Sequence, residues 1–320
     1  MYAISVVVPV YNSAEILALL AERLDRVATA NDWRLELILV NDCSRDHSWS
    51  VISDLADRYT WVRGINLMRN YGQHNALLCG IREANHDVIV TMDDDLQHPP
   101  EEIPRLLEEL GRGFDVVYGT PQREQHGFWR DTASQTTKLV LQSAMGAEIA
   151  RSVTSFRVFR ASLRESFASY TGSYVFIDAL LTWGTTRFSA LPVRHDPREI
   201  GASNYNLRKL VLHALNMTTG FSVLPLQISS LIGFAFTILG FILLVYVAIR
   251  SLTQSPTLWG FYILAGMITI FAGAQLFALG IIGEYLARMH FRMMERPAYT
   301  IRQQVHSSAK VDLISERIRK

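Results

Sequence analysis

Apolar and polar positions alternate in blocks over the first 200 or so residues. β-Branched apolar runs at 4–10, 35–40, 62–67, 88–92 and 115–118 are separated by amphipathic stretches at 14–30, 48–59, 74–84 and 100–112. This strand and helix alternation predicts an α/β fold, an open and mostly parallel sheet covered by helices. The pattern then changes. From about 221 to 249, and again from about 258 to 282, the chain is almost wholly apolar and uncharged, and each stretch exceeds the roughly 20 residues that cross a bilayer. The connection, Arg250 to Thr257, is so short that the two spans must return as an antiparallel hairpin with both flanks on one side. A buried hairpin in a soluble protein would not need spans of this length.

Charge orients the hairpin. Arg208 and Lys209 precede the first span and Arg288, Arg292 and Arg296 follow the second, against Arg250 alone in the loop. The positive-inside bias places the first domain and the tail in the cytoplasm, making the chain an integral protein of the cytoplasmic membrane with both termini inside. The N-terminus agrees, because it runs straight into a strand with no signal-like apolar stretch. The expected organisation is a cytoplasmic domain at 1–205, an interfacial helix at 206–220, two spans within 221–284 and a cytoplasmic tail at 285–320. Leu207, Leu210, Val211, Ala214, Leu215 and Met217 give the 206–220 segment an apolar stripe that suits either the membrane surface or packing on the first domain. A formal net charge of +1 and the lack of a basic, aromatic-interleaved stripe exclude nucleic acid as a partner. The two cysteines, Cys43 and Cys79, lack metal spacing and read as reduced thiols.

The candidate chemistry sits where strands end. Asp93-Asp94-Asp95 follows the fourth strand and continues into Leu96-Gln97-His98-Pro99-Pro100-Glu101. If the strand extends through the triplet, side-chain alternation puts Asp93 and Asp95 on one face and Asp94 on the other. Two like charges that close call for a cation between them. Hard oxygen ligands suit Mg2+ or Mn2+ shared with substrate phosphates, rather than a closed zinc cage. Pro9, Tyr11, Asn12 and Asp42 end the first two strands, and ligands of such sheets bind beyond the carboxyl ends of the strands. Asp42 by itself suits two roles, receiving hydrogen bonds from a base or ribose or capping the helix that starts near Asp46. No GxGxxG fingerprint and no GxxxxGK[ST] loop occur, so neither a dinucleotide nor a P-loop site is indicated.

Taken in order, Val8-Pro9-Val10-Tyr11-Asn12, Val40-Asn41-Asp42-Cys43-Ser44-Arg45-Asp46, Arg69-Asn70-Tyr71-Gly72-Gln73-His74-Asn75-Ala76-Leu77 and the acidic segment through Glu101 resemble the GT-A family 2 glycosyltransferases. Within that group the chain is similar to the polyprenyl-phosphate transferases: dolichyl-phosphate mannose synthase, the bactoprenol glucosyltransferases and the undecaprenyl-phosphate aminoarabinose transferase. Ser155-Phe156-Arg157-Val158-Phe159-Arg160, the segment from Arg198 to Tyr205, and the hairpin share in the likeness.

The resemblance implies a GT-A domain followed by a two-helix membrane hairpin, and a metal-dependent, inverting transfer of sugar from a nucleotide-sugar donor, a UDP-hexose such as UDP-glucose, to a polyprenyl phosphate. It places Pro9, Tyr11, Asn12, Asp42, Asp93, Asp94 and Gln97 around the donor, and the metal at Asp93 and Asp95. It makes Asp95, Ser155, Arg157 and Arg198 catalytic, and brings Ser155, Arg157, Arg198 and Arg130 to the acceptor phosphate. It also implies a homotetramer, in which the segment 297–304 adds a strand to a neighbouring subunit; a loose tail is the alternative. Three positions depart from the pattern. Cys43 stands where the family carries Gly, a substitution compatible with a negative φ. Ser155 stands where the bactoprenol enzymes carry an Asp proposed as base, and Asn204 replaces a Lys. A processive polysaccharide synthase would carry a Gln-x-x-Arg-Trp signature, which is absent. A non-catalytic scaffold or lipid-sugar transporter is disfavoured by the retained Asp42, Asp93 and Asp95 and by spans without charged residues.

Overall fold

The computed structural model describes residues 2–121, 152–172, 174–196, 224–253, 259–294 and 296–306. Eight strands form one sheet in the order β7-β5-β6-β4-β1-β2-β3-β8. They are β1 Ala3–Val10, β2 Arg34–Asn41, β3 Val62–Leu67, β4 Val88–Thr91, β5 Val116–Pro121, β6 Arg157–Arg160, β7 Phe188–Val193 and β8 Ile301–His306. β1 pairs in parallel with β2 on one side and β4 on the other, β2 with β3, and β5 with β7. β6 lies antiparallel between β4 and β5, and β8 antiparallel beside β3. The centre of the sheet is dry: Val6, Val7, Val8, Leu37, Ile38, Leu39, Ile89 and Val90 are fully buried, as strands covered on both faces require.

Four helices, α1 Leu17–Ala30, α2 Ser48–Arg58, α3 Gln73–Glu83 and α4 Ile103–Gly111, follow β1 to β4. On α1 the buried Leu17, Leu20, Ala21, Leu24, Val27 and Ala28 make a single stripe against the core. This helix starts at Leu17 rather than at 14; in the turn ahead of it the amides of Ser13 and Ala14 donate to Ser48 Oγ (3.0 Å) and Asp46 Oδ2 (3.1 Å). α3 lies close on the sheet at Gly80, where any side chain would collide with Val7. That close fit matters for the site, because the first residue of α3 reaches the acidic loop. A short helix, α5 Ile177–Leu181, precedes β7.

β6 and β7 were not among the expected strands. β8 also changes the reading of the C-terminal segment, which was expected either as a strand given to a neighbouring subunit or as a loose tail. It pairs instead with β3 of its own chain, from Arg63↔His306 to Leu67↔Ile301. The segment therefore belongs to the sheet-bearing unit, Met1–Leu210 with Glu295–Lys320.

The second unit, Val211–Met294, contains α6 Leu224–Thr253 and α7 Trp259–Met293. Within them, Leu226–Tyr246 and Gly266–Ala287 are long and apolar enough to cross a membrane. Their side chains are largely uncovered, with Leu231, Phe234 and Phe241 each about two-thirds exposed. α6 and α7 touch where Gly240 leaves room for the Phe271 ring, which also meets Phe236 edge-on at 6.3 Å. The expected 206–220 helix lies outside the described residues.

Candidate active site

The ends of β1, β2 and β3 are laced together by short polar side chains. Asn12 takes a left-handed conformation (φ 56°); its amide donates to Ser44 Oγ (3.0 Å) and its Oδ1 accepts from the Arg45 amide (2.8 Å). Ser44 Oγ donates to Asn41 Oδ1 (2.5 Å), and Asn41 Nδ2 donates to Asn66 Oδ1 (2.9 Å). Tyr11, 40% exposed, and half-buried Pro9 face outward above this lattice. Cys43 has φ 57°, so the negative φ that would accommodate a side chain there without strain is not adopted. The loop does impose the left-handed conformation that Gly adopts freely, and Cys43 bears its strain.

Asp42 is buried, and it does not cap α2. Its two oxygens accept the amides of Tyr71 (2.7 Å) and Gly72 (2.8 Å), so it fixes the turn that leads into α3. Burial pushes its carboxyl above the ordinary value, and those two amides pull against the rise. On the same turn the Arg69 guanidinium lies 4.6 Å over the Tyr71 ring.

The acidic triplet is not a strand continuation. β4 stops at Thr91, and Asp93 to Asp95 lie in a loop closed by Leu96 at φ 56°, so strict side-chain alternation does not apply. The outcome for Asp94 still differs from that of its neighbours. It is directed back toward the end of β1, where the Ser13 hydroxyl and Tyr11 amide reach it. Its carboxyl is raised to about 6: burial is the largest cause, the charges of Asp93 and Asp95 act in the same direction, and those hydrogen bonds oppose the shift. Asp95 Oδ1 accepts the amide of Gln97 (3.2 Å), which folds the loop onto itself. Asp93 accepts from Gln73 Nε2 on Oδ1 and from Ser155 Oγ on Oδ2, each at 2.6 Å.

Asp93, Asp94 and Asp95 thus crowd three carboxyls into one loop, and Asp94 is raised chiefly by its burial, with the charges of its two neighbours adding to the rise. A hard cation fits such a donor set. Among the described residues no group of three or more His, Cys, Asp or Glu side chains could enclose an ion. An ion at this loop would need further ligands from substrate or water.

Arg157 requires a correction. Expected at the acceptor phosphate, it is 1% exposed, ion-paired with Asp178, and donates through Nε to Thr91 Oγ1 (2.9 Å). A guanidinium so enclosed cannot grip a lipid phosphate, and it acts from inside the sheet. Arg130 and Arg198 lie outside the described residues. Gln73, Thr91, Tyr118 and Asp178 join the site without having been singled out. Gln73 stood within the third motif, and Asp178 was visible as a lone charge in the apolar run Val175-Phe176-Ile177-Asp178-Ala179-Leu180-Leu181, where an acid must find a buried partner. His98 is also buried; its ring stacks on Phe156 (5.3 Å) and meets His195 edge-on (4.9 Å). Together with the Asp196 amide donating to the Gln97 carbonyl (2.9 Å), this joins the loop after β7 to the acidic loop.

The model of the glycosyl transferase family 2 matches residues 5–173. An undecaprenyl-phosphate 4-deoxy-4-formamido-L-arabinose transferase of Enterobacter sp. (strain 638) is 34% identical over 319 residues, spanning 98% of this chain and 97% of its own. The enzyme of the same name from Yersinia enterocolitica is 33% identical over 306 residues, 94% of this chain and 93% of its own. Among solved structures, glucosyl-3-phosphoglycerate synthase from Mycobacterium tuberculosis, in complex with Mn2+, UDP-glucose and phosphoglyceric acid, superimposes with a TM-score of 0.50. That match has 16% identity and covers 68% of this chain and 78% of that one, which establishes a shared GT-A α/β fold.

Proposed function

The chain belongs to glycosyl transferase family 2, and from that premise we propose that it moves a sugar from a UDP-sugar to undecaprenyl phosphate at the cytoplasmic face of a membrane, with inversion at the anomeric carbon. One observation supports this reading above the others: the likeness to undecaprenyl-phosphate transferases runs the length of both chains, through the two apolar helices as well as the sheet. Those helices would hold the enzyme where so apolar an acceptor lies, with the catalytic unit and both termini in the cytoplasm.

The residues of the crevice divide the work. Asp42, by clamping the Tyr71 and Gly72 amides, sets the edge of a pocket for the base, with Tyr11 beside it and Pro9 and Asn12 shaping its floor. Asp93 and Asp95 would hold a divalent cation, with Asp94 and Gln97 shaping the loop around them. Mg2+ or Mn2+, when bound there, neutralises charge that develops on the departing diphosphate. The acceptor needs no strong base, because a phosphate monoester with a second pKa near 6 is largely dianionic in the cytosol. Arg130 and Arg198 are the cations we assign to that acceptor phosphate, since bidentate arginine contacts suit it. Ser155 serves the acidic loop rather than the acceptor, because its hydroxyl proton is committed to Asp93.

Two donors are in view. Full-length likeness favours UDP-4-deoxy-4-formamido-L-arabinose, and the Ser155 to Arg160 motif, similar to that of the mannose and glucose enzymes, favours UDP-glucose. The test is transfer from each labelled donor, with GDP-mannose as a third, to undecaprenyl phosphate in detergent. A lipid product labile to mild acid, formed from one donor and suppressed by EDTA, is expected. A folded enzyme that forms no lipid product from any of them would refute the reading.

A further inference from the structure

We propose that Ser155 and Gln73 are positioning residues for the divalent cation: they clamp the Asp93 carboxylate in one orientation, and a strut through Thr91, Arg157 and Asp178 ties that clamp to the interior of the sheet. The proposal rests on the transferase reading above and assigns roles that the reaction itself does not require.

Asp93 sits in a loop, beyond the last ladder bond of β4, so nothing in the strand fixes its side-chain torsions. Two donors from separate elements do. Gln73, the first residue of α3, reaches Oδ1, and Ser155, just before β6, reaches Oδ2, both at 2.6 Å. Contacts of that length to an ionised acid are of the stronger, charge-assisted kind, and a donor on each oxygen fixes the plane of the carboxylate as well as its direction.

The strut follows from counting protons. Thr91 Oγ1 has one proton and gives it to the Ser155 carbonyl (2.8 Å), so toward Arg157 Nε it can only accept. The Arg157 guanidinium is held in turn by Asp178, which also accepts the Tyr118 hydroxyl (2.9 Å). Thr91, Arg157, Tyr118 and Asp178 are all buried, so this chain of contacts starts in the interior of the sheet and ends on the carboxylate proposed to hold the cation. The single proton of Ser155 is used in the same way. A hydroxyl that donates to Asp93 is a poor base toward an acceptor, and its effect on the reaction passes through the carboxylate it holds.

Groups that orient metal ligands from behind usually change metal affinity by about 10- to 100-fold when removed. The test is Mn2+ binding to the full-length protein in detergent with UDP present, read from the paramagnetic resonance signal of free Mn2+, beside the metal dependence of transfer. Ser155→Ala is expected to weaken Mn2+ binding about tenfold, and to raise the metal KM by more than it lowers kcat at saturating metal. Ser155→Thr, which keeps the hydroxyl, restores most of that affinity. Gln73 is exposed, so Gln73→Ala tests the same clamp without touching the core, and the same direction is expected. Wild-type affinity in both alanine variants, with an active parent enzyme, overturns the clamp. A parent enzyme that transfers no sugar from any donor overturns the transferase reading instead, and the binding measurement separates the two because it requires no transfer.

Discussion

Two groups of acidic residues, one at each end of the sheet, are held in different ways. At the amino-terminal ends of the strands, acids meet arginines: Arg63 bridges Glu36 (3.0 Å) and Glu83 (3.1 Å), and Asp115 meets Arg187 (3.0 Å) and Arg160 (3.3 Å). At the carboxyl-terminal ends, Asp42, Asp93 and Asp94 accept hydrogen bonds from amides, hydroxyls and one carboxamide, and the buried Arg157 charge also acts on Asp93. Neutral donors orient a carboxylate without cancelling its charge. The first end is built to be satisfied by the protein, and the second to present charge to something that binds. Arg157 marks the boundary between them, a cation under the acidic loop whose own charge is matched below by Asp178.

The largest effect should come from that boundary. Asp178→Asn leaves Arg157 charged and buried without its partner, which typically costs about 3–5 kcal/mol. Thermal unfolding in detergent should show a steep loss of stability. A variant as stable as the parent would mean that Arg157 finds its compensation elsewhere and that the strut is not anchored at Asp178.

The second test uses acid, to which the two ends should respond with opposite sign. For Glu36, burial pushes the carboxyl up, but hydrogen bonds from Ser5, Asn85 and Arg63 outweigh it and hold it below its ordinary 4.5. A depressed group stabilises the fold above its unfolded pKa, and that stability is lost as pH falls through the folded value. For Asp94, raised from 3.8 to about 6, the stabilising contribution is complete below about 4 and is lost as pH rises through 6. In metal-free protein, Glu36→Gln should therefore destabilise at pH 7 and approach the parent as the acid limb is reached. Asp94→Asn should stabilise at pH 7, by about 1–3 kcal/mol, and lose that advantage near pH 4. Unfolding temperatures measured across this range check both; parallel behaviour of the two variants would erase the contrast between the ends.

The smallest effect concerns backbone strain. A left-handed residue costs about 1–2 kcal/mol, and Gly gives back roughly half of that gain in chain entropy, so Cys43→Gly should stabilise by up to about 1 kcal/mol. A loss of stability would mean that the Cys43 side chain contributes packing that outweighs its strained φ of 57°.

Much of this was legible from residue patterns, because parallel strands announce themselves as apolar runs. β1 to β5 were found near their expected places for that reason, and α1 differed only where Ser13 and Ala14 spend their amides on α2's approach. β6 was hidden, and the partner of β8 was not readable, because antiparallel insertion and edge addition depend on distant residues: Arg157–Arg160 and Ile301–His306 are short, contain polar residues, and pair with β4, β5 and β3. The same limit applied at the site. That Asp42, Asp93 and Asp95 follow strands could be read from position, whereas the burial of Arg157 could not, since an arginine beside Ser155 and Phe156 looks equally suited to phosphate until its partner, 21 positions away, is known. The sign of φ at Cys43 was likewise a property of the loop.

The most direct measurement sets the two ends against each other in one assay: sugar transfer to undecaprenyl phosphate, per folded enzyme, by Asp95→Ala and Glu36→Gln beside the parent. If Asp95 holds the metal as proposed, transfer should fall by about a thousandfold in Asp95→Ala, while Glu36→Gln keeps parental activity despite its lower stability. Parental activity in Asp95→Ala, or loss of it in folded Glu36→Gln, would contradict the division of labour between the two ends.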